Sequence, residues 1–209
     1  MTTSTFPNGD TLVSSALTPD SLATLLQALV AQILGFDPAD PTQQSAAFSS
    51  VRVGWPEQGQ PAWEISEDVC IIRADLEDDP YSRVRDGIWG LNNAESLTKQ
   101  MGFTQVWNAH LTLYGPNCAD HARLILSAMA DLDWVHDSLA GSSLYLIVGP
   151  NRPTYAPEQF QGQWWKRADL SLKFNELVTE STTVSSAAGV DVTLLKENGL
   201  TTEIKIGSV

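Results

Sequence analysis

Cations are scarce in this sequence. Twelve Lys and Arg stand against 25 Asp and Glu, a formal net charge of -13 over 209 residues. The imbalance is concentrated in residues 1–80, which hold 12 acids and only Arg52 and Arg73 as bases, whereas residues 81–209 hold 13 acids and 10 bases. Proteins that grip DNA or RNA draw much of their affinity from cations that displace counterions from phosphates. The nearest approach to such a patch is Lys166-Arg167, so tight nucleic-acid binding is not expected. Surplus acid keeps a chain soluble. It also repels phosphate, which suits a surface that DNA slides past without being held.

Cysteine is nearly as scarce. Cys70 and Cys118 are the whole complement, which makes neither a disulfide framework nor a zinc site. Each is expected to be a packed free thiol, Cys70 in the buried strand Val69-Cys70-Ile71-Ile72 and Cys118 at a helix start. Free thiols fit a reducing, cytosolic origin. No apolar run approaches the roughly 18–20 residues of a membrane-spanning helix. The opening Met1-Thr2-Thr3-Ser4-Thr5-Phe6-Pro7 has no basic region followed by an apolar core, so no signal peptide is expected. The chain is nevertheless 43% hydrophobic, too apolar for disorder and long enough for one domain with a real core.

Chemistry is equally hard to find. A Gly-rich phosphate loop, G-x-G-x-x-G and G-x-S-x-G are all missing. His110, His121 and His136 match no metal spacing: the first is expected on a strand's polar face, the second in a helix, the third in a loop. Glu77-Asp78-Asp79 lacks the alternation and glycine of a calcium loop and reads as a solvated turn, as does Asp131-Leu132-Asp133. The catalytic, cofactor and metal residues are therefore none, and an enzyme is not expected. Trp89, Trp107, Trp134, Trp164 and Trp165 are too scattered to form a sugar-binding stripe and are expected as core or interface anchors.

What is present is a clear sequence of elements. Thr18 caps a helix, Pro19 takes its first position and Asp20 its first turn. Leu22, Leu25, Leu26, Leu29, Val30, Ile33 and Leu34 make one stripe on a 3.6-residue period, and Gly35 ends it. Residues 36–50 and 56–67 read as loops, 51–55 as a short strand and 69–76 as a strand. Residues 81–100 favour a long hairpin, although 93–100 equally fit a short helix. Residues 107–113 alternate as a strand, and Tyr114-Gly115-Pro116-Asn117 stops it. Asn117 is expected to cap a second helix with Asp120 as its acidic partner, its buried face running Cys118, Ala122, Ile125, Met129, Leu132. Residues 143–148 read as a buried strand and 149–163 as a loop.

Residues 167–175 are the strongest strand. Ala168, Leu170, Leu172 and Phe174 face one way, and the alternation shifts phase at Glu176-Leu177, where a bulge is expected. A terminal hairpin is expected from 190–195 and 202–206 around Glu197-Asn198-Gly199. The fold class is α+β: a mostly antiparallel β-sheet with two main α-helices packed on one face, plus long hairpins and loops. Residues 1–17 form an N-terminal arm and 18–209 a single domain.

Neighbouring residues of a strand point to opposite faces. In Trp164-Trp165 one indole can therefore enter the core while the other faces out. With Lys166 and Arg167 beside it, the outward ring would be an interface anchor, because aromatics and Arg dominate such contacts. Trp164, Trp165 and Arg167 are the candidate interface residues; internal packing under the 149–163 loop is the alternative.

Two stretches in this order, 106–120 with its Leu113-Tyr114-Gly115-Pro116-Asn117 corner and 164–175, resemble the neck terminator proteins of contractile and other long-tailed phages. The likeness covers 106 to about 192, and residues 1–100 match loosely. It implies a structural virion protein at the head–tail junction, assembled in the host cytoplasm: a homo-oligomeric ring, expected to be a hexamer, that ends the tail tube and joins it to the head connector or stopper proteins. The tail tube protein would be one partner and the tail sheath a further candidate. Genomic DNA would pass through the lumen without specific binding, with no cofactor and no membrane. The competing expectations are another head–tail adaptor or tube-like subunit, or a small enzyme or ligand-binding domain.

Overall fold

A capping box starts the first helix. Thr18 Oγ1 accepts the Ser21 N–H at 3.2 Å, and Ser21 Oγ accepts the Thr18 N–H at 2.8 Å. The computed structural model that shows this describes residues 1–7, 9–54, 63–80, 84–93, 96–149, 151–185, 189–195 and 201–207, with backbone alone for 91–93, 96, 184–185, 189–195 and 201–207. The turn expected at 197–199, residues 56–62 of the expected loop and Tyr81-Ser82-Arg83 lie outside them.

Along the chain come β1 (Thr2–Thr5), β2 (Thr11–Ser14), α1 (Pro19–Ile33), α2 (Gln44–Ser50), β3 (Val51–Val53), β4 (Val69–Glu77), β5 (Asp86–Asn93) and β6 (Ser96–Tyr114). Then follow α3 (Cys118–Asp131), α4 (Asp133–Ala140), β7 (Leu144–Ile147), β8 (Thr154–Tyr155), β9 (Glu158–Phe160), β10 (Gln163–Trp165), β11 (Arg167–Ser185), β12 (Gly189–Leu195) and β13 (Thr201–Gly207). Every strand pair with a defined register is antiparallel except β3 with β4. The α+β class is borne out. Among the described residues no helix is long and apolar enough to cross a membrane.

Two compact units divide the chain: Leu17–Arg83 with Thr104–Leu177, and Met1–Ala16, Val84–Phe103 and Val178–Val209. β6 and β11 give a segment to each. In the larger unit β4 pairs with β6 from Val69↔Tyr114 to Glu77↔Val106, β11 lies beside β6, and β7 and β8 pair with β11. Helices cover one face. Leu22, Leu26 and Val30 of α1, Ile125 and Met129 of α3, and Val135 and Leu139 of α4 share one core with Cys70 and Ile72 of β4, Leu111 and Leu113 of β6, and Leu170, Leu172 and Phe174 of β11. Gly35, at φ +92, closes α1: the Gly35 N–H bonds Gln32 O and the Phe36 N–H bonds Ala31 O, both at 3.0 Å. This pairing satisfies the helix's last carbonyls. Leu26 is 1% exposed. Leu26→Ala should lower the unfolding free energy by about 2–5 kcal/mol in a denaturant titration, and an unchanged midpoint would mean that α1 is not packed.

In the smaller unit β1 and β2 form a hairpin that lies within the expected arm at 1–17. β2 pairs with β11 from Glu180↔Ser14 to Thr183↔Thr11. The hairpin expected over 81–100 is β5 against the first part of β6, and the terminal hairpin is β12 with β13.

The structure corrects several local expectations. Residues 44–50 are helical rather than loop, because Ala47 is fully buried and α2 packs on α1. The second expected helix is α3, which stops at Asp131 and leaves Leu132 39% exposed; a further helix, α4, follows it, so His136 is helical rather than in a loop. The Asn117 side chain does not cap α3; its Nδ2 donates to Asp68 Oδ2 at 2.8 Å while its N–H donates to Asp68 Oδ1 at 2.9 Å. Only Leu144 of β7 is buried, and the 149–163 loop contains β8 and β9.

There is also no phase slip at 176. Glu176 is 1% exposed, Leu177 44% and Val178 0%, so the inward face runs unbroken from Ala168 to Val178. A carboxylate occupies a core position because three donors converge on it. The Leu17 N–H reaches Oε1 at 2.7 Å, and Gln105 Nε2 and Trp107 Nε1 reach Oε2 at 2.6 Å each.

Candidate assembly surfaces

The sheet face away from the helices carries alternate residues of β4, β6 and β11. At one end of the larger unit it is aromatic. Trp63, Tyr114 and Trp165 pack with Val69 and Ile71 in a second small cluster. Trp165 meets both partners edge-on, at 6.5 Å from Trp63 and 6.4 Å from Tyr114, with 87° between planes in each case. These are favoured ring geometries. The β9–β10 hairpin brings Trp165 here, and strand alternation sends Trp164 the other way: Trp165 is 8% exposed and Trp164 66%.

Charged groups rim the cluster. Arg167 stands 6.0 Å from the Tyr114 ring and bonds Glu158 Oε2 at 3.0 Å and Asp169 Oδ1 at 2.9 Å. Burial works against its charge, but the bonds to Asp169 and Glu158 outweigh that, and its pKa rises. The Tyr114 hydroxyl donates to Glu158 at 2.8 Å; burial first, and that bond second, push its pKa up to about 12. Arg52 lies over Trp63 at 5.2 Å and donates to Ser49 O at 2.7 Å. The indole N–H groups of Trp63 and Trp165 are buried and have no hydrogen-bond partner among the described residues.

Farther along this face Ser171, His110 and Asp75 stand in a row. His110 Nδ1 is 3.0 Å from Ser171 Oγ, and Nε2 is 3.9 Å from Asp75 Oδ2. The second separation exceeds hydrogen-bond reach. Asp75 is largely open to solvent, and the row lines neither of the two grooves described below. It is a polar stripe without the orientation or shielding of a charge-relay site. Lys173 Nζ donates to both oxygens of Glu77 at 2.8 and 2.7 Å, and that bond holds the Glu77 carboxyl below its usual range. No group of three or more metal-ligating side chains occurs among the described residues.

The helix side has a groove of about 560 Å³ bordered by Phe36, Arg52, Asp68, Cys70 and His121. Cys70 and Cys118 are free and buried. Burial pushes the Cys70 thiol up to about 12, so it offers no thiolate nucleophile near neutral pH. In the smaller unit β5 exposes Ile88 at 74% and Trp89 at 58%, with Lys99 Nζ 5.4 Å over the Trp89 ring. A shallow groove of about 520 Å³ runs beside it between Val13, Met101 and Thr179.

Of the three candidate interface residues, the structure therefore places Trp164 on the surface, Trp165 inside the aromatic cluster and Arg167 at its rim. Trp63, Tyr114 and Glu158 belong to the same constellation and were not singled out in the sequence. Only the aromatic identity of Trp63 and Tyr114 signalled them.

A helix-backed sheet with an exposed tryptophan in one unit, and hairpins with apolar strand residues open to solvent in the other, define a class: a scaffold built to meet other proteins. The chain belongs to the phage neck terminator protein family, whose model matches residues 20–198. The resemblance drawn from 106–120 and 164–175 is thereby borne out. Membership gives the chain a structural role as a virion component of the phage neck, in contact with other virion proteins. No curated protein matches the sequence.

Proposed function

We propose that the chain is the subunit of a hexameric ring that ends the tail tube at the neck and joins it to the head connector, with the genome passing through the ring. The observation that carries this is the family match across 20–198, which spans segments of both compact units. Supporting it, β5 and Trp164 hold apolar side chains in solvent, as a subunit awaiting neighbours does. The net charge of -13 suits a channel that must release DNA. Its action is mechanical closure rather than catalysis: a ring closed on itself covers interfaces that would otherwise extend a tube.

Solution mass across a concentration series, with negative-stain images of the same samples and of samples mixed with isolated tail tubes, tests this. Rings with an open centre, free or seated on tube ends, are expected. A monomer at every concentration that also leaves tube ends bare would overturn the proposal.

A further inference from the structure

β7 is an edge strand of the larger unit. It pairs with β11 from Glu176↔Leu144 to Lys173↔Ile147, and no other described strand pairs with it. In the same register the Leu177 N–H donates to Ser143 O at 2.9 Å. Opposed residues of an antiparallel pair alternate between bonded and non-bonded. Ser143, Tyr145 and Ile147 therefore turn their backbone groups to β11, while Leu144 and Leu146 turn theirs outward. A groove of about 300 Å³ lies on that side. Tyr145 borders it together with Leu144 and Leu146, whose side chains take the opposite face of the strand, so the groove follows the strand's outer edge. Asp137, Leu139 and Ala140 of α4 form its other wall. Leu144 is fully buried and closes one end; Leu146 is partly exposed, and Val148, just past the strand, is 84% exposed.

We propose that this groove takes a short, extended, cationic segment of another protein, which adds to β7 as a further strand. The contact stands on the larger unit alone and holds whether or not the chain closes a ring. Two observations name the occupant. The first is the bare edge. Edge strands are ordinarily guarded by a charge, a proline or a bulge, and residues 144–148, Leu-Tyr-Leu-Ile-Val, have none of them. An added strand bonds the outward N–H and C=O of Leu146 and lays apolar side chains between β7 and α4. The second is charge. No Lys or Arg lies between Arg123 and Arg152, whereas Asp131, Asp133 and Asp137 do. All three are exposed, and none has an ion-pair partner among the described residues. Asp133 and Asp137 are one turn apart on α4 and share a face, and Asp137 lines the groove. His136 beside them spends Nε2 on Met129 O at 2.9 Å. On the neighbouring strand Lys173, opposite Ile147, is bonded to Glu77. The uncompensated charge at the groove is negative, so the segment carries Lys or Arg among its apolar residues.

The test titrates the peptide KVKVKVK into the isotopically labelled full chain and follows it by NMR, with EVEVEVE and KGKGKGK in parallel. KVKVKVK is expected to shift the signals of α4 and of 144–148 and to slow exchange of the Leu146 amide about tenfold or more, because a strand bond must open before that hydrogen exchanges. EVEVEVE, with the wrong charge, and KGKGKGK, with the right charge but no apolar side chains, should each bind about tenfold more weakly or worse. Asp137 and Val148 are exposed, so Asp137→Lys and Val148→Lys should keep the wild-type thermal midpoint and each weaken KVKVKVK about tenfold or more. Failure of KVKVKVK to bind at millimolar concentration would overturn the proposal, as would binding that leaves the Leu146 amide unchanged or survives both substitutions. Equal binding of EVEVEVE or KGKGKGK would overturn the chemistry assigned to the segment. A Leu146 amide that becomes protected as the chain alone is concentrated would give the edge to a second copy and overturn it too.

Discussion

Glu176→Ala should cost about 3–5 kcal/mol of folding stability, the range seen when one partner is removed from a buried charged network. At 209 residues each kcal/mol is worth about 2–4 °C, so the melting midpoint should fall by roughly 10 °C or more. The reason lies in the partners. The Leu17 N–H, Gln105 Nε2 and Trp107 Nε1 all donate to this one carboxylate at 2.6–2.7 Å. Removing it orphans three donors at a position 1% exposed, each costing about 1–3 kcal/mol if left dry.

Filling the space cannot repair this. Glu176→Leu restores volume but accepts nothing, so it should be nearly as damaging. Glu176→Gln keeps one acceptor oxygen and sets an NH2 against a donor, and should lose about 1–3 kcal/mol. The coupling is separable: in a Trp107→Phe background one orphan disappears, and Glu176→Ala should then cost less than in the wild type. Equal costs in both backgrounds would show that the indole bond contributes nothing. Because the Leu17 N–H immediately precedes the α1 capping box, the same carboxylate ties the entry of α1 to β11.

Glu176 also marks where sequence pattern stopped being informative. The inward set Ala168, Leu170, Leu172, Phe174 was legible because alternation is a local property of a strand. A glutamate at the next inward position looks like a slip to any pattern based on polarity, and only the distant Leu17, Gln105 and Trp107 reveal that the register holds. The α1 stripe, its cap and its Gly35 terminator were legible for the same local reason. α4 was not: Asp133–Ala140 is short, and its start, at Leu132, has no capping side chain. The α2 segment likewise starts at Gln43 without a side-chain cap.

The surface followed the same division. Trp164 out and Trp165 in was a consequence of alternation alone. That Trp165 meets Trp63 and Tyr114 depends on chain segments up to about a hundred positions apart, and no period in the sequence encodes it. The Asn117 side chain was assigned to the nearest helix by proximity, whereas its partner, Asp68, comes from the loop before β4.

Gly115→Ala should be the other severely destabilising change, by about 3–5 kcal/mol, and for a different reason. Gly115 sits at φ +111, where an L-residue is strained by about 1–3 kcal/mol. A Cβ there would also collide with Asp68 Oδ1, lie 2.5 Å from the Glu67 carbonyl oxygen and 2.8 Å from Asp68 Cα. Two of those three are backbone atoms, which cannot rotate aside, so overpacking adds a similar amount. Gly54 separates the two contributions: its φ is +76, yet no atom of the described residues lies within 4 Å of its would-be Cβ. Gly54→Ala should therefore lose only about 1 kcal/mol, and equal losses at both glycines in parallel denaturant titrations would show that the collision is relieved.

The effect should also reach assembly. Gly115 lies between Tyr114, a member of the aromatic cluster, and the corner where Asp68 holds Asn117; its N–H donates to Lys166 O at 3.3 Å. Pushing the 67–68 backbone away moves Tyr114 against Trp165 and shifts the main chain that presents Trp164 and Lys166. If Trp164, the exposed candidate interface residue presented by this corner, contacts a neighbouring subunit, a Gly115→Ala chain refolded at low temperature should still assemble less than the wild type at the same folded fraction, whereas Gly54→Ala should assemble normally. A folded Gly115→Ala chain that assembles as readily as the wild type would place the contact away from this corner.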